Sequence, residues 1–118
     1  MTMPGSALIM DEGRTGMVCV LALRGRLDST NSEHLMARLK TLLASAESSV
    51  LLDLSHVVYL TSATFRALLV AAREADRNGA RFVLCSVLGQ VRELFEMGDL
   101  LDAFTIHNSR DEALAAFG

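Results

Sequence analysis

The segment Val50-Leu51-Leu52-Asp53-Leu54 is apolar at every position but one. A run this short and this uniformly apolar reads as a strand covered on both faces, because a sheet with one wet face alternates apolar and polar residues. Such a strand needs helices above and below it, and the flanking sequence supplies them.

Upstream, residues 31–46 carry Leu35, Leu39, Leu42, Leu43 and Ala46 at helical spacing, with Ser29, Thr30, Asn31 and Ser32 ahead of them as candidate N-caps. Downstream, Phe65, Leu68, Leu69, Ala72 and Ala75 repeat that period from Ser62 onward, and Asn78-Gly79 stops it with a left-handed residue. Residues 17–23 and 81–85 read as further buried strands. Residues 7–10 form a weaker one, joined to the next by a hairpin turn that contains Gly13 and Gly16.

A short helix over 88–97, ended by Gly98, and an edge strand over 104–106 follow. The closing helix is announced by Ser109-Arg110-Asp111-Glu112, which has capping-box spacing, and runs through Ala113, Leu114, Ala116 and Phe117. The order β-β-α-β-α-β-α-β-α predicts one α/β domain spanning 1–118, a mixed sheet with right-handed crossovers and four helices packed on it.

Composition removes several classes of function. Apolar residues make up 51% of the 118, charged residues 21%, and Pro occurs once, so the chain folds around a core of its own. A formal charge of −3 with scattered Lys and Arg, one Tyr and no Trp, leaves neither an electrostatic footprint nor a stacking platform for nucleic acid. The first six residues lack the basic and apolar regions of a secretory signal. No run approaches the roughly 18 apolar residues of a membrane helix, so a cytoplasmic protein without membrane contact is expected. Cys19 and Cys85 stand alone inside apolar runs and read as buried free thiols, and the scattered methionines read as core fillers.

In an open α/β sheet, ligands and partners gather beyond the carboxyl ends of the strands. Two segments land there, Gly25-Arg26-Leu27-Asp28 and Tyr59-Leu60-Thr61-Ser62-Ala63-Thr64. Thr61 can cap the second helix, which makes Ser62 its first residue, where the helix dipole and unpaired amides favour a phosphate. By itself a serine at that position is an ordinary cap. His34, His56 and His107 match no zinc motif, no G-x-S-x-G elbow is present, and Gly25 stands outside any phosphate loop. His56, six positions before Ser62, is the one histidine near enough in sequence for a Ser-His pair. No enzyme activity and no cofactor or metal are expected.

Several separated motifs occur in one order: Gly25-Arg26-Leu27-Asp28 before a helix, then Leu51-Leu52-Asp53-Leu54-Ser55-His56-Val57-Val58-Tyr59-Leu60-Thr61-Ser62-Ala63, and Arg66-Ala67-Leu68-Leu69. Val91-Arg92-Glu93-Leu94-Phe95, Asp99-Leu100-Leu101 and the stretch from Ser109 to Ala113 continue the series. Together they resemble the STAS domain of anti-sigma-factor antagonists, over residues 16–117. The resemblance implies a phospho-switched binding module. Unphosphorylated, such a protein binds an anti-sigma factor that is also a serine kinase and frees a sigma factor. The kinase, with its own ATP and magnesium, modifies a serine at the start of the second helix, and a serine phosphatase restores it.

By that resemblance Ser62 is the phosphorylation site. Gly25, Arg26, Leu27, Asp28, Asn31, Thr61, Ser62, Ala63, Thr64 and Arg66 form the partner-binding rim. Three positions depart from the family's pattern: Thr61 replaces Asp, Thr64 replaces Gly and Phe65 replaces Leu. Thr64 is expected on an exposed first turn, where a Gly would let a partner backbone approach. Two other readings give Ser62 a different role. In one, a STAS subunit of a transporter ATPase complex or scaffold uses it as a plain cap; in the other, it is the nucleophile of a small enzyme.

Overall fold

The computed structural model describes residues 8–117. Five strands, β1 (Leu8–Thr15), β2 (Val18–Leu27), β3 (Ser49–Leu60), β4 (Arg81–Cys85) and β5 (Thr105–His107), lie side by side in chain order. β1 runs antiparallel to β2, and the later strands are parallel. Between them come α1 (Ser29–Leu42), α2 (Ser62–Asn78) and α3 (Gly89–Met97), a single 3-10 turn at Leu101–Ala103, and α4 (Arg110–Phe117). The expected order of elements and the mixed α/β sheet are therefore what the chain adopts.

Alternation along β3 divides the interior in two. Val50, Leu52 and Leu54 join Cys19, Leu21 and Leu23 of β2 beneath Leu35 and Leu39 of α1, Leu68 of α2 and Phe95 of α3. Leu51 faces the other way, with Val18, Val20 and Cys85, and meets Ala113 of α4. Three helices thus cover one face and one short helix part of the other, which is why β3 needs apolar side chains on both.

The two long strands outrun their sequence signals. β2 continues through Gly25 to Leu27 and β3 through His56 to Leu60, because their extensions pair with each other, Leu27 opposite Leu60, across irregularities at Ala22/Arg24 and Gly25/Arg26. Tyr59, expected beyond the carboxyl end of β3, is a strand residue, and so is His56. β1 extends to Thr15, so Gly13 lies inside it opposite Val20, and the turn is Gly16-Met17, with Gly16 at φ +60°. Ala7, expected to open that strand, lies outside the described residues.

α1 starts two residues earlier than expected and ends at Leu42, which leaves Ala46 exposed outside it. α3 begins at Gly89 with Leu88 as its N-cap, and β5 lies one residue later than expected, at Thr105–His107. Met17 and Met97, at 82% and 83% exposure, are not core fillers. The thiol reading holds: Cys19 and Cys85 are free, buried and in separate clusters on opposite faces of the sheet.

Candidate functional site

β2 and β3 end level with each other, so the helices that follow them start as neighbours at the carboxyl edge of the sheet. Asp28 begins α1. Its carboxylate accepts from the N–H groups of Thr30 (2.9 Å) and Asn31 (3.0 Å), while the Asn31 side chain accepts from the Asp28 N–H (2.8 Å). This reciprocal pair is a capping box with Asn in the place usual for Glu. The Asn31 amide also donates to the Arg26 carbonyl at 2.8 Å, which fixes the path of the chain as it leaves β2. Arg26 lays its guanidinium over the Tyr59 ring, 4.9 Å from its centroid.

α2 begins differently. Thr61 is the N-cap by position and makes no side-chain cap bond; its carbonyl accepts from the N–H groups of Thr64 and Phe65. Ser62 is the first helical residue and is exposed, and no acidic residue stands in this first turn. The positive end of the helix dipole is therefore uncompensated beside the Ser62 hydroxyl.

Thr64 is not on an exposed turn. It is fully buried at 0% exposure, and its hydroxyl lies 2.7 Å from that of Ser32, itself buried in α1. The Thr61 hydroxyl is 3.5 Å away, at the edge of the same group. A polar contact in the seam between α1 and α2 thus joins the two rim helices one turn below their starts. The helical stripes contained the signal, since Ser32 precedes Leu35 and Leu39 at the spacing of the buried face, as Thr64 precedes Leu68 and Ala71.

A second polar cluster sits under α4. Asp53, buried in β3, accepts from the Ser55 N–H (2.9 Å) and from the Arg110 guanidinium (2.9 and 2.8 Å). Burial favours the neutral acid, but the hydrogen bonds from Ser55 and Arg110, with the arginine's charge, outweigh it and hold the carboxyl below the usual aspartate range. Cys85 stands opposite Asp53 in β4, and burial followed by that negative charge pushes its thiol up to about 11. This is the reverse of an activated nucleophile.

The Nδ1 of His56 lies 3.0 Å from the Ser55 hydroxyl. Among the described residues no group of three His, Cys, Asp or Glu could hold a metal ion, and no helix is long and apolar enough to cross a membrane.

The STAS domain model matches residues 9–113. The chain belongs to the STAS domain family. BtrV of Bordetella bronchiseptica, which carries the name of an anti-sigma factor antagonist, is 37% identical over 98 residues, covering 83% of this chain and 84% of its own. A Thermotoga maritima protein described as an anti-sigma factor antagonist has a crystal structure that superposes with TM-score 0.82 at 18% identity, over 91% of this chain and 92% of that one. The antagonist SpoIIAA of Bacillus, in its phosphorylated form, superposes with TM-score 0.71 at 18% identity, over 93% of this chain and 100% of that one. At such identity the two structures speak for the STAS fold alone.

Within this STAS domain, the residues expected at the rim fall into three groups. Arg26, Ser62 and Arg66 are exposed. Gly25, Asp28, Thr61 and Ala63 are partly buried, on the same edge. Leu27, Asn31 and Thr64 are buried, so their side chains support the rim from within and do not present it. Tyr59 lies on this edge under Arg26, as its segment was expected to, and Ser32, which sequence reasoning offered only as a candidate N-cap, supports the rim from within.

Proposed function

We propose that this STAS domain is an anti-sigma factor antagonist whose unphosphorylated form binds an anti-sigma factor that is also a serine kinase, and that phosphate on Ser62 switches the binding off. The observation that carries the reading is the exposed Ser62 hydroxyl at the first position of α2, on an edge it shares with Arg26, Asp28 and Arg66. The name of the Bordetella relative supports the kind of partner.

The logic of the switch is electrostatic. A phosphate adds about −1.5 to −2 charges at a point that docking would desolvate, so it opposes the complex. The start of α2, with its positive dipole and no acid in its first turn, accommodates the same charge in the free protein. Phosphorylation then breaks the complex and leaves the domain folded. Ser62 serves as the phosphate acceptor only: ATP, magnesium and the catalytic groups belong to the kinase, and a serine phosphatase returns the hydroxyl.

The test is calorimetric titration of the organism's own anti-sigma factor kinases with the unmodified and the Ser62-phosphorylated domain. Binding of the unmodified form, weakened at least about tenfold by phosphate, is expected. Equal binding of both forms overturns the switch. Failure of every such kinase to bind overturns the antagonist reading.

A further inference from the structure

β1 is an open edge of the sheet. Among the described residues it pairs with β2 alone, and Ile9 to Thr15 are all exposed, so half of its backbone N–H and C=O groups point outward with no described strand to meet them. Its side chains divide by face. Met10, Glu12 and Arg14 stand opposite Leu23, Leu21 and Cys19, on the side of α1; Ile9, Asp11, Gly13 and Thr15 stand on the other. Glu12 is held in two short hydrogen bonds by Arg38 of α1, at 2.7 and 2.6 Å. Arg14 is exposed and has no hydrogen bond or ion pair among the described residues.

We propose that two copies of this chain join edge to edge through β1, antiparallel about a two-fold axis at Gly13, to make one continuous ten-stranded sheet. The register follows from charge. A two-fold axis perpendicular to the sheet keeps each residue on its own face, so the axis passes through a residue position and not between two. An axis at Asp11, Glu12 or Arg14 sets like charges against themselves. One at Met10 sets Asp11 and Glu12 against Ile9 and Leu8.

Only an axis at Gly13 opposes unlike charges: Glu12 of each copy meets Arg14 of the other, twice by symmetry, and Asp11 meets Thr15. Gly13, beside which no described residue lies within 4 Å of a Cβ position, meets itself at the axis without side-chain bulk. Beyond this ladder Ile9 falls against Met17 and Met10 against Gly16. Ile9, Met10 and Met17 are three of the seven large apolar side chains left exposed among the described residues.

The ladder is short, so the dimer is weak and depends on salt. It leaves the Ser62 rim free in each copy. Gly13 pairs with Val20, five residues along β2 from Gly25, which puts the axis about 17 Å from the rim. The two rims point in opposite directions, and one dimer offers two independent partner sites.

Sedimentation equilibrium from about 10 μM to 1 mM protein tests this, a range chosen for a weak pair. The unmodified chain is expected to dimerise with rising concentration and to exchange its Asp11 to Thr15 amides more slowly as it does. Arg14→Glu, which leaves the Glu12–Arg38 pair in place, and Glu12→Arg each set like charges opposite and should weaken the dimer by about tenfold or more. An equal mixture of these two variants restores both unlike pairs and should dimerise again, which no general loss of folding can imitate. A chain that stays monomeric over the whole range, or dimers indifferent to both reversals, overturn the proposal. Protection of the β1 amides that needs a bound kinase would assign the edge to a partner's strand and overturn it equally.

Discussion

The hydroxyls of Ser32 and Thr64 lie 2.7 Å apart in the seam between α1 and α2, and both side chains are buried. Ser32 sits one turn beyond Asp28, and Thr64 two residues beyond Ser62. The two loops that form the rim are therefore tied together below the surface. The sheet fixes the same relationship from beneath by pairing Leu27 with Leu60.

Removing one of the two hydroxyls strands the other. Thr64→Val keeps the volume and leaves the Ser32 hydroxyl buried without its partner, which should cost about 1–3 kcal/mol of stability in urea unfolding. Adding Ser32→Ala should cost less than the sum of the two single changes, since nothing polar then remains unpaired. Thr64→Gly adds a gap and a flexible residue inside α2 and should destabilise further. Its effect on partner binding then follows from a loosened rim and not from a cleared surface.

Asp28 combines a cap and a charge, and two substitutions separate them. Asp28→Ala removes the acceptor for the Thr30 and Asn31 N–H groups and should lower stability by about 1 kcal/mol, read as a fall in Tm. Asp28→Ser keeps a capping oxygen and should melt close to the unmodified protein. If the carboxylate also touches the partner, Asp28→Ser will still weaken binding; unchanged binding would make Asp28 a cap alone.

The sequence made the sheet and its order legible because Val50 to Leu54, Arg81 to Cys85 and the stripe of α2 each carry one unmixed period. What it concealed follows from pairing at a distance. Gly25 and His56 look like loop residues until β2 and β3 are laid against each other, when each becomes a position in the other's ladder. The rim was legible as a place and less so as a set of side chains. Family likeness marks positions along the chain, whereas burial depends on which helix face meets its neighbour. Thr64 shows this: its type and location suggested surface, and its spacing from Leu68 put it inside.

Ser62→Asp should leave the fold intact. A carboxylate at the first position of α2 faces the positive end of the helix dipole, with no acid nearby in the first turn to repel it. Its Tm should match or slightly exceed that of the unmodified protein, a stability change within about 1 kcal/mol. A large fall in stability would mean that the switch works by unfolding the rim.

Cys85 should resist thiol reagents in the native protein. With its thiol pushed up to about 11 by burial and by Asp53, on the order of one molecule in a thousand carries the thiolate at pH 8. Labelling at pH 8 is therefore expected to be slow for the folded domain and fast in denaturant. Fast labelling at Cys85 itself, read by peptide mapping to separate it from Cys19, would show that α4 lifts away from the sheet.

The Asp53–Arg110 pair joins the start of α4 to the centre of the sheet, and its contribution should depend on pH. Asp53 has a folded-state pKa below the ordinary value of about 3.9, so its stabilisation is complete above that value and is lost as pH falls through the folded one. Arg110→Ala should therefore destabilise by about 1–2 kcal/mol at pH 7, a moderate figure because the arginine side chain is 46% exposed. The difference from the unmodified protein should shrink once the pH drops below about 4, where Asp53 takes up its proton in the variant before it does so in the unmodified chain. The same substitution loosens α4 over Cys85 and should raise the labelling rate of that thiol. Denaturation curves for both proteins from pH 3 to pH 7 check the first point and thiol labelling the second. A stability difference that stays constant down to pH 3 would show that Arg110 holds α4 through its packing and not through the charge on Asp53.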